Sequence, residues 1–149
     1  MEPGVTARTG PRSWNRGMSG ICYIYSMTRI NAGIHPSELC DRHLLAEHRE
    51  IKRIPNMVKS GRAKLSGIPA EFTLGQGHVR FFYDKIGYLK RRYREIRREC
   101  ISRGFRVSDY GGSFEGIEPG LMNDWHPGDR ERDMIRKRID ERLGTMGCI

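Results

Sequence analysis

The 149-residue chain lacks several features that would assign it to a class of protein. Its four cysteines, Cys22, Cys40, Cys100 and Cys148, lie far apart and form no CxxC motif. This spacing argues against a zinc site and against a disulfide-rich secreted scaffold. No stretch approaches the roughly 20 apolar residues of a membrane-spanning helix, or supplies the apolar core of a signal peptide. We therefore expect a reduced, cytoplasmic protein without membrane contact, in which Cys40 and Cys100 are buried thiols.

Lysine is also scarce. The 27 basic residues outnumber 18 acidic ones, which gives a net charge of +9, and only six of the 27 are lysines. The planar guanidinium of arginine binds phosphate through paired hydrogen bonds and stacks on bases. The charge therefore favours a nucleic-acid partner, although an acidic membrane surface or a general bias towards arginine would give the same balance.

The composition of the chain changes at Met27. Residues 1–26 are rich in Gly, Pro, Ser and Arg and show no periodicity, so we interpret them as a disordered or non-native N-terminal extension. The length of the remainder, residues 27–149, suits a single domain with one core.

The first predicted helix opens at Pro36-Ser37-Glu38 and runs to about Ile51. Ser37 suits the N-cap position, and acidic side chains in the first turn complement the helix dipole. Pro55 is expected to stop or kink the chain, with a short turn over residues 56–59.

A second and much longer helix is predicted over residues 78–103, because apolar residues recur there at alternating intervals of three and four. The members of this stripe are Val79, Phe82, Ile86, Leu89, Tyr93, Ile96 and Cys100. The helix would be roughly 40 Å long and would end before Gly104 as the C′ residue. Its outer face, interpreted either as a solvated surface or as a flank for the DNA backbone, is predicted to carry Lys85, Lys90, Arg91, Arg92, Arg94, Arg97 and Arg98.

A long loop over residues 105–127 and a third helix over residues 129–143 complete the domain. No βαβ alternation or phosphate-binding glycine loop is present. The pattern predicts an all-α fold: a single compact domain of three main helices, with a long central helix and extended loops.

The dipeptide Met27-Thr28 has a chemical consequence if Met27 is the true start of the protein. Removal of Met27 would leave Thr28 with a free α-amine, whose unperturbed pKa of about 7.7–8 makes an appreciable fraction nucleophilic near pH 7. Lysine side chains, at about 10.4, are poorer nucleophiles without special tuning. In the chain as written, the nitrogen of Thr28 is an internal amide.

Four blocks of the sequence resemble the pyrimidine-dimer DNA glycosylase family, the type represented by endonuclease V of the T-even phages. They are TRIN (28–31), ELCDRHLLAEHRE (38–50), GQGHVRFFYDK (75–85) and RGF (103–105), and the similarity extends to about Leu143. The resemblance implies a glycosylase and abasic-site lyase that acts on damaged double-stranded DNA without a metal or another cofactor. We expect the protein to be a monomer.

The resemblance also implies roles for individual residues. The α-nitrogen of Thr28 would attack C1′ of the damaged nucleotide and form an imine, and Glu50 would be the catalytic carboxylate that stabilises positive charge and moves protons. The residues implied to contact DNA are Arg29, Arg49, Arg53, His43, Arg138 and Arg142.

Some of these residues also have simpler structural interpretations that do not depend on the resemblance. Glu50 would also suit a simple surface ion pair with Arg49 or Arg53, and His43 a structural role. His43 and Glu47 have the i,i+4 spacing of metal ligands, but no third ligand is evident.

Lesion specificity depends on a further feature. The phage enzyme has Trp and Tyr in its C-terminal segment, whereas residues 144–149 here contain no aromatic side chain. Trp125 is a candidate substitute. The alternatives are therefore an abasic-site lyase without dimer specificity and a non-catalytic basic helical module that binds DNA through phosphates.

Overall fold

A computed structural model of the protein describes residues 28–146, with side chains up to residue 142. This part of the chain is helical and contains no β-strand, so the all-α prediction is confirmed. The α-helices are α1 (Asp41–Glu50), α2 (Arg53–Lys59), α3 (Gln76–Phe81), α4 (Ile86–Ser102) and α5 (Asp129–Met146). Short 3-10 helices occupy Pro36–Glu38, Phe82–Asp84, Gly111–Phe114 and Pro119–Leu121.

The first predicted helix is interrupted. Pro36–Glu38 is a single 3-10 turn, Leu39 is extended, and α1 begins only after Cys40, so the prediction of Ser37 as its N-cap is wrong. The guanidinium of Arg103 explains the break. Its Nη2 donates to the carbonyl oxygens of Pro36 at 3.1 Å and Leu39 at 2.8 Å, which satisfies backbone groups that a continuous helix would have paired internally.

Pro55 lies inside the first turn of α2. The amides of a first helical turn have no partner within the helix, so the missing N–H of proline costs little there. The helix therefore extends over Arg53–Lys59, beyond the predicted turn at residues 56–59.

The long predicted helix is divided at Lys85, where φ is −127° and ψ is 39°. The loop before α5 supplies the reason: the N–H of Tyr88 donates to the carbonyl oxygen of Asn123 at 3.1 Å, and Asn123 Nδ2 donates to the Asp84 carbonyl oxygen at 2.8 Å. These tertiary bonds replace helical ones. The 17 residues of α4 span about 26 Å, and the prediction of one helix of about 40 Å is wrong.

The C-terminal end of α4 agrees with the prediction. Gly104 has a φ of +90°, which only glycine adopts readily. Its N–H donates to the Ile101 carbonyl oxygen at 2.9 Å, and the N–H of Phe105 donates to that of Cys100 at 3.0 Å. This is the Schellman pattern of a helix end.

The hydrophobic core surrounds α4, which packs on α1, and every described core residue lies between Ile30 and Ile135. Cys100 is buried as a free thiol, as predicted. Cys40, which precedes the first residue of α1, is half-buried and disulfide-bonded. The prediction of a buried thiol is therefore wrong at this position, and so is the prediction of a fully reduced protein. Within residues 28–146, no helix combines the length and apolar composition needed to cross a bilayer.

Trp125 packs into an aromatic cluster at one edge of this core. Its ring stacks on Phe72 at a centroid distance of 5.5 Å and meets the edges of Phe81 at 5.0 Å, Phe82 at 5.8 Å and Tyr88 at 5.2 Å. These contacts account for the position of Trp125 as a packing residue.

Candidate active site

The segment from Thr28 to Asn31 lies inside the fold, although it is the first part of the described chain. Thr28 is only 3% exposed, and Ile30 is fully buried. The N–H of Ile30 donates to Nε2 of His78 at 2.9 Å, and Nδ1 of the same ring lies 3.0 Å from the carbonyl oxygen of Thr73. The imidazole therefore carries its proton on Nδ1 and accepts through Nε2. Burial lowers the pKa of His78 to about 3, which keeps the ring neutral.

Asn31 is fixed by a buried ion pair. Its Nδ2 donates to Oε1 of Glu47 at 2.9 Å, and Oε2 of Glu47 accepts from Nε of Arg92 at 2.8 Å. Arg92 is 3% exposed, so the prediction that it lies on the outer face of the long helix is wrong. A buried guanidinium needs a carboxylate partner, and Glu47 of α1 supplies it.

Helix α5 reaches the same segment through Arg138. Its Nη2 donates at 3.3 Å to the carbonyl oxygen of Ile30 and to Oδ1 of Asn31. Burial, with a contribution from the neighbouring cations Arg29 and Arg142, lowers the pKa of Arg138 to about 10. Side chains from three helices therefore converge on Ile30 and Asn31.

Glu50 is the last residue of α1 and is 7% exposed. Burial raises the pKa of its carboxyl group above the ordinary range, while Arg53, Arg49 and the backbone N–H of Arg29 oppose the shift. That N–H belongs to the peptide group that joins Thr28 to Arg29. The carboxylate therefore lies beside the peptide group that follows Thr28.

A cleft of about 280 Å³ opens between α1, α5 and the segment that begins at Thr28. Six of the eight site residues predicted from the sequence line it: Arg29, His43, Arg49, Glu50, Arg138 and Arg142. The other lining residues are Asn31, Arg42, Ala46, Glu47 and Ile139. The cleft combines two buried carboxylates, of which that of Glu50 lies beside Thr28, with five arginines.

The two remaining predicted residues lie next to this cleft. Thr28 is buried and directly precedes Arg29, which lines the cleft, and Arg53 acts electrostatically on the Glu50 carboxylate. His43 lines the cleft in a strongly cationic environment. Burial is the largest cause that lowers its pKa, followed by Arg142 and Arg138, so the imidazole is neutral near pH 7.

Four residues at or near the site were not predicted from the sequence to have a role in it: Asn31, Glu47, Arg42 and His78. A signal for Arg42 was present, because Arg42, Ala46, Arg49 and Glu50 follow the i, i+4, i+7, i+8 spacing of one helix face. For His78 the sequence held no such signal, since its partner Ile30 is 48 residues away.

No group of three potential metal ligands lies together among residues 28–146. Glu47, one turn after His43, already accepts from Asn31 and Arg92.

A larger cleft, of about 700 Å³, lies along α4 beside Gly111–Phe114. Its rim carries Arg94 and Arg98, and its floor is formed by Tyr93 and Phe114. None of the eight predicted site residues lines it. Because it lacks a buried carboxylate next to an extended chain segment, size alone does not make it the catalytic cleft.

The profile of the family described as pyrimidine dimer DNA glycosylase matches residues 27–109, more than half of the chain. The chain belongs to this family. The matched range includes Thr28, Glu50 and His78, and ends before Arg138 and Arg142. Membership in the pyrimidine dimer DNA glycosylase family assigns DNA repair by a DNA glycosylase as the general function and DNA as the substrate.

Proposed function

We propose that the protein is a DNA repair glycosylase and abasic-site lyase that excises cyclobutane pyrimidine dimers from duplex DNA. The observation that carries this proposal is the position of the Glu50 carboxylate beside the Thr28–Arg29 peptide group, at the wall of an arginine-rich cleft. A nucleophile at Thr28 would work there next to a carboxylate and within reach of a phosphate backbone.

The nucleophile in this proposal is the α-amine of Thr28, which exists only when Thr28 is the first residue. Its nitrogen bonds to C1′ of the damaged nucleotide, while the bond between C1′ and the base breaks and the base leaves with the electron pair. One proton then moves from the attacking nitrogen to O4′, the C1′–O4′ bond breaks, and the open-chain sugar carries a 4′-hydroxyl and a protonated imine at C1′. This covalent intermediate divides one difficult reaction into two easier ones.

The imine then acts as an electron sink for strand cleavage. A proton leaves C2′, a C2′–C3′ double bond forms, and the C3′–O bond breaks with the 3′ phosphate as leaving group. Glu50 stabilises the cationic sugar and imine, and takes up the C2′ proton directly or through water. The raised pKa of Glu50 suits such an acid–base role.

The arginines of the cleft supply the affinity for DNA. We assign phosphate contacts to Arg29, Arg49, Arg138 and Arg142, and we assign Arg53 to the same basic surface behind Glu50. A neutral His43 can donate or accept a hydrogen bond near the sugar without repelling these cations.

The catalytic form in this proposal begins at Thr28. Residues 1–26 would then be an extension that is absent from the active enzyme, and residues 27–149 would be the catalytic domain, from which Met27 is removed. We further propose a monomer that uses no cofactor, because the proposed nucleophile, carboxylate and phosphate contacts are all groups of this one chain. The cytoplasmic location is proposed because the family is one of DNA repair enzymes.

Borohydride trapping tests the proposal. Protein that begins at Thr28 is mixed with duplex DNA that contains a dimer or an abasic site, and sodium borohydride reduces any imine to a stable adduct. We expect adducts with both DNAs, and none with the full chain, in which the Thr28 nitrogen is acylated.

The same experiment separates the alternatives. Adducts with abasic DNA alone would identify a lyase without dimer specificity. Absence of any adduct, together with DNA binding that falls steeply with salt and ignores damage, would identify a non-catalytic binding module.

A further inference from the structure

A nucleophile at the N-terminus must be held in place by contacts with the rest of the protein, because chain ends are otherwise poorly ordered. In a protein that begins at Thr28, nothing before this residue holds it. Its position then depends on its own contacts and on those of the three residues that follow. Most of these contacts come from groups that also face the candidate cleft: Glu50, Glu47 and Arg138.

The contact between His78 and Ile30 is different, because His78 does not line the cleft. Nε2 of His78 accepts from the N–H of Ile30 at 2.9 Å, two residues after the proposed nucleophile. His78 therefore holds the segment by its backbone without a place in the surface that would meet DNA.

The imidazole is itself held on every side. Nδ1 is bonded to the carbonyl oxygen of Thr73, and the rings of Phe72 and Phe82 meet it edge-on, each at a centroid distance of 5.4 Å. Only 2% of His78 is exposed. A ring fixed in this way offers its acceptor nitrogen in one direction only.

We propose that His78 is a positioning residue, which holds the backbone of Ile30 so that the nitrogen of Thr28 meets C1′ beside Glu50. This inference rests on the proposed function of the Thr28 amine. A displacement of about 1 Å in a reacting group can cost on the order of 100-fold in rate. Loss of the Ile30 anchor should therefore slow imine formation while DNA binding is retained.

Three variants of the protein that begins at Thr28 test this role. His78→Phe keeps an aromatic ring but removes the acceptor, and His78→Gln keeps both an acceptor for Ile30 and a donor for Thr73. The matched control is His48→Phe. His48 is similarly buried, stacks on Tyr93 at 5.6 Å and meets the ring of Tyr110 at a tilt at 5.0 Å, without a described contact to residues 28–31.

The measurements are the single-turnover rate of borohydride trapping on saturating abasic duplex, the Kd for the same duplex, and the Tm. We expect His78→Phe to trap about 10- to 100-fold more slowly with a Kd within about twofold of wild type. His78→Gln should recover most of the rate. The control should lower the Tm without slowing trapping.

Several results would overturn the inference. One is a His78→Phe variant that traps as fast as the control, and another is a parallel loss of binding and trapping. If His78→Phe does not fold, His78→Asn takes its place, since its shorter amide stays polar but falls short of Ile30; normal trapping by that variant would contradict the role. Wild-type protein that forms no adduct would instead contradict the proposed function itself.

Discussion

The backbone N–H of Arg29 faces the carboxylate of Glu50 and stabilises its charged form, against a burial that favours the neutral acid. The peptide group that carries this N–H begins at Thr28. The Glu50 carboxylate therefore interacts with the first peptide group of the proposed catalytic form, in addition to its ion pair with Arg49 at the surface. The ion pair between Glu50 and Arg49 is weak, because the N–O distance is 3.7 Å and the Arg49 side chain is largely exposed.

Replacement of this carboxylate tests its proposed role. We expect Glu50→Gln to reduce single-turnover strand cleavage by about 100- to 10,000-fold, because the variant loses an acid–base group in the transition state. DNA binding should be retained, since the cleft keeps its arginines. Glu118→Gln, at an exposed position outside the cleft, is the matched control. Near-normal cleavage by Glu50→Gln would remove Glu50 from the mechanism.

The pH dependence of the reaction should report the environment of Glu50. Since burial raises the pKa of its carboxyl group, the acid limb for strand cleavage from the preformed imine, in which the Thr28 amine no longer titrates, should lie above the ordinary glutamate value of about 4.3. Arg53 lowers that pKa. The variant Arg53→Gln should therefore shift the acid limb to higher pH, which a single-turnover pH profile measures. An unchanged or lower limb would contradict this electrostatic coupling.

Stability should fall with acidification because of His78. The folded-state pKa of about 3 is depressed below the ordinary value of 6.5, so between these two pH values the unfolded chain binds a proton that the native protein excludes. Titration of His78 alone should lower the unfolding free energy by on the order of 3 kcal/mol when the pH falls from 7 to 4.

Urea denaturation at both pH values checks this prediction. The difference in unfolding free energy between pH 7 and pH 4 should shrink in His78→Gln. It should stay unchanged in His126→Gln, whose side chain is 82% exposed. An equal difference in wild type and His78→Gln would show that His78 is not kept neutral by the fold.

The ion pair between Glu47 and Arg92 should dominate the stability of the segment around Asn31. We expect Arg92→Met to lower the unfolding free energy by about 3–5 kcal/mol, because the buried Glu47 carboxylate loses its partner. Arg98→Met, at an exposed position on the same helix, should change it by less than about 0.5 kcal/mol. Chemical denaturation of both variants compares them, and similar losses would contradict the buried pair.

Local signals in the sequence predicted the helical fold well where one residue decides the conformation. Gly104 ends α4 because its positive φ suits glycine, and this is a property of the residue itself. The division of the long helix at Lys85 was not predictable in this way. It depends on hydrogen bonds between Asn123 and residues almost 40 positions earlier.

The candidate site was likewise predictable from the sequence only in part. Resemblance to the family placed Glu50, His43 and the arginines in one region, and the structure brings six of those side chains to one cleft. The resemblance gave no role to His78. The apolar periodicity assigned Arg92 to the outer face of the helix, because such a pattern does not count a guanidinium as a core residue, whereas Arg92 is buried. Both residues make their decisive contacts over 45 or more positions of sequence.

Peptide mapping of the borohydride-reduced adduct decides whether the Thr28 nitrogen is the nucleophile. Protein that begins at Thr28 is trapped on abasic duplex, digested, and sequenced by tandem mass spectrometry. The mechanism proposed above predicts that the sugar remnant is attached to the α-nitrogen of Thr28 and that the full-length chain carries none. A remnant attached to a lysine side chain, or an equal adduct on the full-length chain, would contradict it.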